Sequence, residues 1–254
     1  LHLSLRRQRQ MCIRDSSYII RQGEKILRAY GITIFVTIVG TAANLAMSAL
    51  LAYPLSIKKL PYRRAITFFV FFTMLFSGGL VPTYIMYTRY IKVSNTIWAL
   101  IIPSLVVNAF YVIMMRTYFS TNIPEAVIEA ARIDGAGEFR ILLTIVLPMS
   151  VPMVATMTLL IGLSYWNDWK NGLYYLQQNK SLYSIQVLLN DMLRDVQALK
   201  SGMDAAAAAE ITANMPSTGI KMAIAVVGVL PVLIVYPFFQ KYFVKGITIG
   251  AVKG

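Results

Sequence analysis

The stretch Glu129–Pro148, EAARIDGAGEFRILLTIVLP, lies between two long apolar segments, and the class of the protein follows by working outward from it. Before it, residues 96–116 carry no charge until Arg116; after it, residues 149–166 carry none. About 20 apolar residues suffice to cross a bilayer core about 30 Å thick. Further out, the same test finds 32–57, 65–88 and 221–240, whose interiors lack Asp, Glu, Lys and Arg. One such window could be a buried helix of a soluble domain. Five in 254 residues predict an all-α, multi-pass membrane protein. The polar stretch is then a structured insert at the membrane surface, presented to a partner.

Charged residues make up 14% of the chain, against roughly 25% in a soluble domain. The formal charge of +13 raises nucleic acid as a partner, but the basic residues flank apolar windows and do not interleave with aromatics on a polar surface. The partner they indicate is the lipid bilayer, with no nucleic acid. Lys58, Lys59, Arg63 and Arg64 fill the link between the first two windows; Arg116, Arg132 and Arg140 surround the insert; Lys241 and Lys245 follow the last window. Because Lys and Arg accumulate in cytoplasmic loops, these three regions and the C-terminus are predicted to be cytoplasmic. An even number of windows separates each from the next, so the three agree.

Cys12 and His2 are the only residues of their kinds, which removes disulfides, Cys- or His-based metal sites and Ser-His or Cys-His catalysis. No metal site and no catalytic residue is expected. No GxxxxGK[ST] phosphate loop occurs, so if ATP drives this protein another chain binds it.

The segment before Ile32 conflicts with this topology, because it would lie outside the cytoplasm yet carries Arg6, Arg7, Arg9, Arg14, Arg21, Lys25 and Arg28. Residues 1–16, LHLSLRRQRQMCIRDS, show no periodicity and resemble translated adapter read-through. They are expected to be non-native, with residues 17–254 forming a single transmembrane domain and an earlier span missing.

The first window is rich in small residues (Thr37, Gly40, Thr41, Ala42, Ala43, Ala46, Ser48), which let helices approach closely in lipid. Asn44 within it makes an interhelical hydrogen bond or lines a pathway. The second window carries Ser77-Gly78-Gly79 and Pro82, interruptions tolerated where backbone is buried in protein or lines a cavity. Pro103, Ser104 and Asn108 make the third unusually polar, and Gly228 and Pro231 predict a kink in the fifth. Residues 167–220 form the predicted extracellular loop, with an apolar run Ile185–Leu189 and an Ala-rich run Ala205–Ala209. At some fifty residues it is too long to be slack.

Within the insert, Asn122 and Glu125 have capping-box spacing with Pro124 in the first turn, predicting a helix over 123–134 with Ala126, Ala130 and Ile133 on one face. Gly135 supplies a left-handed stop. A second helix over 138–147 leads to Pro148 at the junction with the next window.

The spacing Glu-Ala-Ala, three residues, Gly, nine residues, Ile, one residue, Leu-Pro resembles the coupling-loop signature of ABC importer permeases, with Glu129, Ala130, Ala131, Gly135, Ile145, Leu147 and Pro148 matching it. The segments Thr73–Tyr84, Met114-Met115-Arg116, Trp166-Asn167 and the tail YPFFQKYFVKGITIGAVKG resemble the carbohydrate-uptake, MalG-like branch of the Gram-positive, lipoprotein-linked type. That resemblance implies a type I importer transmembrane domain of six spans in a bacterial cytoplasmic membrane, with 117–148 as the cytoplasmic coupling loop. It implies a second permease subunit, an ABC ATPase dimer that binds ATP and Mg, and an extracellular solute-binding lipoprotein. Transport would proceed by alternating access, driven through the loop.

Glu129 is then either a solvated helix charge or one half of an ion pair with the ATPase, and Arg132 and Asp134 are surface residues near that contact. For the substrate path, Asn44, Asn108, Tyr111, Tyr165 and Trp166 are of the right type, since sugars are held by aromatic faces and polar groups in apolar surroundings. Packing and interface anchoring account for the same residues equally well. A permease for another solute, or a stand-alone secondary transporter, are the competing functions; charge-free spans argue against ion coupling in the second.

Overall fold

Residues Gly23–Ser56 form one 34-residue helix, α1, which begins nine residues before the first apolar window. At 1.5 Å per residue it is about 50 Å long, so its polar first turns extend past the hydrocarbon. The fold is taken from a computed structural model, which describes residues 23–105, 108–191, 194, 226, 228–234 and 237. Among these residues all the regular structure is helical, with no strand. After α1 come α2 (Arg63–Leu75), α3 (Leu80–Tyr90), α4 (Trp98–Leu105), α5 (Ala109–Asn122), α6 (Glu125–Ile133), α7 (Glu138–Met149), α8 (Val151–Trp166) and α9 (Lys170–Tyr175).

α1 is the central post, packed along α5 and α8 and touching α4. Its buried residues recur at three- and four-residue spacing: Ala29, Thr33, Val36, Gly40, Asn44, Ser48, Ala52 and Leu55. Small side chains allow this approach, and van der Waals packing rather than exclusion of water holds such faces together in lipid. At Gly40 the approach is close: a Cβ would stand 2.6 Å from the Tyr165 ring of α8. Gly162 of α8 faces Thr41 and Thr37 at ordinary contact distance.

The charge-free windows are not all single helices, and the breaks lie where the sequence is polar. Among the described residues only α1 is long and apolar enough to cross a membrane alone; α2 with α3 and α7 with α8 qualify as bent pairs, at 107° and 87°. The 65–88 window breaks at Phe76–Gly79: Phe76 is extended and Gly79 sits at φ +82°, a left-handed conformation natural to glycine. The 96–116 window breaks at Asn108, which is extended and caps α5 by accepting the Phe110 N–H at 3.0 Å. α5 then continues to Asn122, six residues into the loop predicted to begin at 117.

The expected capping box does not form. Asn122 ends α5 and donates Nδ2–H to Tyr118 O, while Pro124 precedes α6 without a side-chain cap. Pro148 likewise lies within α7, following a π-helical segment Leu142–Val146, and the turn comes at buried Ser150.

The segment after α8 is tied to the bundle. The Thr33 hydroxyl donates to Ala29 O and accepts the Ile185 N–H, both at 2.8 Å, and Ile185 and Leu189 pack with Ala29 and Trp166. The Ala-rich run, residues 1–22 and the C-terminal tail lie outside the described residues. Gly228 and Pro231 fall in the described helical stretch 228–234.

Candidate functional site

Two places collect the residues of interest: the α6–α7 hairpin and a polar cavity inside the bundle. In the hairpin, Gly135 turns the chain at φ +80° with nothing within 4 Å of where a Cβ would be. The face carrying Ala126, Ala130 and Ile133 points outward, with Ile133 86% exposed. Phe139 on the other arm is 63% exposed. The opposite face turns inward, with Ala131 and Ile141 buried and Ile128, Ile145 and Leu147 packed on the core.

Three contacts fix the hairpin to the end of α1 and the link that follows, and one more joins its two arms. Lys59 Nζ meets Glu129 Oε1 at 2.8 Å and Lys58 Nζ meets Glu125 Oε2 at 3.2 Å. Arg132 grips Glu138 with Nε to Oε1 at 2.7 Å and Nη2 to Oε2 at 3.2 Å. Buried Tyr53 of α1 donates its hydroxyl to Glu138 Oε2 at 2.5 Å. The hydrogen bond from Arg132 holds the Glu138 carboxyl below the usual carboxylate range, against the opposing effect of partial burial, and Tyr53 adds to the lowering. The hydrogen bond and charge of Lys59 likewise lower Glu129. Glu129 therefore has a partner within its own chain. Sequence pattern does not mark Tyr53, Lys58, Lys59 or Glu138 as site residues: the lysines signal topology, and a Tyr 85 positions before its Glu leaves no local signal.

The polar cavity, about 620 Å³, is lined by Asn44 of α1, Thr73 of α2, Ser77 in the break after it, Asn108 and Tyr111 beside and in α5, and Ser164 and Tyr165 of α8, among others. Ser48 donates to Asn44 Oδ1 at 3.2 Å, and Tyr165, hydrogen-bonded to Ile101 O at 3.3 Å, also neighbours Asn44. The cavity thus unites four of the five residues predicted for a substrate path. Trp166 does not join them: its Nε1–H donates to Gly228 O at 3.1 Å and its ring lines a separate apolar groove between α1 and α8.

Residues 37–249 match the model of the family described as binding-protein-dependent transport system inner membrane component. The chain belongs to this family. It is 40% identical over 241 residues, 94% of its own length and 82% of the other's, to the polygalacturonan/rhamnogalacturonan transport system permease protein YtcP of Bacillus subtilis strain 168. It is 38% identical over 230 residues to protein LplC of the same organism, covering 90% and 75% of the two chains. The structure superposes, at TM-score 0.73 and 32% identity, on a chain of a bacterial ABC transporter involved in import of the acidic polysaccharide alginate, covering 86% of this chain and 75% of that one.

As a binding-protein-dependent permease, the chain divides its signature residues by position. Glu129, Ala130, Asp134, Gly135 and Pro148 are exposed, whereas Ala131 is buried, Arg132, Ile145 and Leu147 are half-buried, and the last two pack on the core. The first set is available to a partner; the second anchors the hairpin.

Proposed function

We propose that this chain is the permease subunit of an ATP-driven importer that carries a carbohydrate across the bacterial cytoplasmic membrane by alternating access, and that the α6–α7 hairpin is where a separate ATPase chain acts on it. ATP and Mg belong to that ATPase; this chain catalyses no reaction. The observation that carries the proposal is the hairpin's outer face, which presents Ile133 and Phe139 to solvent at 86% and 63% exposure while its inner face is clamped to α1. A rigidly mounted element with unpartnered apolar side chains is built to be gripped. Substrate is received from an extracellular binding protein, and a second permease subunit completes the path.

The geometry gives the force a route. α7 runs from Glu138 to the elbow at Ser150, where α8 departs at 87° and carries Ser164 and Tyr165 into the polar cavity. The Tyr53–Glu138 bond and the Lys58 and Lys59 pairs join the same hairpin to α1, which carries Asn44 into that cavity. Tilting the hairpin therefore moves two cavity walls together. The cavity lining is uncharged and rich in amide and hydroxyl groups, which suits sugar hydroxyls. The carbohydrate class is supported by the YtcP-like and alginate-importer relatives.

The test is co-expression with the neighbouring permease and ATPase genes, followed by detergent purification. The ATPase should co-purify with the native chain and be lost from an Ile133→Asp, Glu129→Ala variant. Equal retention by both would remove the hairpin as the docking element. Asn44→Ala and Tyr111→Phe should raise the KM for sugar uptake in cells without lowering ATPase retention.

A further inference from the structure

Arg63 in the first turn of α2 and Arg116 in α5 donate Nε–H to one acceptor, the carbonyl oxygen of buried Leu55, at 2.9 and 3.1 Å. Leu55 lies in the last turn of α1, where carbonyls lack helical partners and bear partial negative charge. Two guanidinium groups from separate helices are thereby fixed side by side, with their Nη groups left to face another acceptor. Arg64 joins them in lining a cavity of about 430 Å³, completed by Thr67, Phe68 and Phe71. The ion pairs among the described residues use Lys58, Lys59, Arg132 and Lys180; no described carboxylate pairs with Arg63, Arg64 or Arg116. Two cations sharing one carbonyl, with a third lining the same cavity, form an arrangement that an oxyanion completes, because forked guanidinium contacts are strongest with phosphate or carboxylate.

We propose that this cavity binds the phosphate of an anionic phospholipid from the leaflet on the hairpin side of the membrane. The link carrying Lys58 and Lys59 joins α1 to α2 at this end and is tied to the hairpin, so the arginines lie at the hairpin end of the bundle. Basic pockets between transmembrane helices on the cytoplasmic side are the sites that take anionic headgroups. The floor of the cavity is apolar: Phe68 and Phe71 line it, Phe69 and Phe72 are further exposed rings of α2, and Phe76 just after it stacks on Phe72 at 4.3 Å. Acyl chains would lie along these rings beneath the headgroup.

A sugar carboxylate offers the same oxyanion chemistry, but the arrangement favours lipid. The arginine cavity and the polar cavity share no lining residue. Along α2 they are lined by successive stretches, Arg63 to Phe71 for the first and Thr73 and Met74 for the second.

The complex of this chain with its partner permease and ATPase is purified in mild detergent, offered phosphatidylglycerol or phosphatidylcholine, and examined by native mass spectrometry. Native complex should retain phosphatidylglycerol in preference to phosphatidylcholine. Each arginine near an anionic headgroup contributes about fivefold, so Arg64→Gln should retain about fivefold less and Arg63→Gln/Arg116→Gln about 25-fold less. Arg64→Gln decides the matter if the double variant does not assemble, because the hydrogen bonds to Leu55 O come from Arg63 and Arg116. Equal retention by Arg64→Gln and native complex, or no preference for phosphatidylglycerol, overturns the proposal. Displacement of the lipid by millimolar galacturonate would also overturn it, assigning the arginines to an acidic sugar instead.

Discussion

The bond between Tyr53 and Glu138 is the contact through which the hairpin is expected to act on α1, and its strength can be measured. Tyr53 is buried and its hydroxyl meets a carboxylate at 2.5 Å. Hydrogen bonds to charged groups contribute about 1.5–3 kcal/mol, and partial exposure of Glu138 places this one near the lower end. Tyr53→Phe should therefore cost about 1.5 kcal/mol. Glu138→Ala should cost about 2 kcal/mol, because it also releases Arg132, whose half-exposed ion pair adds less than 1 kcal/mol. The double variant should be no worse than Glu138→Ala, giving a coupling energy of about 1.5 kcal/mol in unfolding from detergent–SDS mixtures. A coupling energy below about 0.5 kcal/mol would refute the contact as an energetic link. Glu138→Gln keeps an acceptor for Tyr53 and should fall between native and Glu138→Ala. The pH dependence has a definite sign. The Glu138 carboxyl is lowered from its ordinary 4.5, so its contribution is fully present above pH 4.5 and is lost as the pH falls through the folded value beneath it. In proteoliposomes, Glu138→Ala should hydrolyse more ATP per sugar imported than native complex.

Gly40→Ala should lower the thermal midpoint of the purified complex, since its Cβ would stand 2.6 Å from the buried Tyr165 ring and overpacking costs about 1–3 kcal/mol. Gly162→Ala, with its nearest neighbour at 3.6 Å, should leave the midpoint unchanged within error. Gly135→Ala should destabilise the hairpin by about 1–2 kcal/mol through its left-handed backbone alone, with Gly135→Asn milder, read as loss of co-purified ATPase. Lys59→Glu should impair uptake by setting two carboxylates against each other, and the charge swap Lys59→Glu/Glu129→Lys should restore it. Failure of the swap would mean that Glu129 acts outside this chain.

Membrane class, the hairpin and its glycine turn were legible in the sequence because each rests on local pattern: charge-free windows, helix periodicity and a left-handed position. The breaks were half legible. Ser77-Gly78-Gly79 and Asn108 are visible as interruptions, but a window test that counts only charge runs through them and makes each interrupted path a single span. Asn122 and Glu125 had the spacing of a capping box, yet α5 continues through Asn122 and takes its side chain back to Tyr118. Of the five residues that residue type points to, four line one cavity, while Trp166 is drawn into an apolar groove by its bond to Gly228. Type alone cannot say which way a helix face turns.

The basic residues show most clearly what composition conceals. Summed, they set a topology, and in that sum Lys58, Lys59, Arg63, Arg64 and Arg116 are equivalent. In the fold they separate by chemistry. The two lysines reach across to carboxylates at 2.8 and 3.2 Å and hold the hairpin as exposed point charges. Arg63 and Arg116 bond through Nε to a helix-end carbonyl and keep their forks free, which a lysine cannot do. Lys59→Arg should therefore preserve coupling, whereas Arg63→Lys/Arg116→Lys should lose the shared grip on Leu55 and with it the preference for phosphatidylglycerol, although every charge is conserved. If the lysine-substituted complex retained phosphatidylglycerol as the native one does, charge alone would suffice and the forked geometry would have no role.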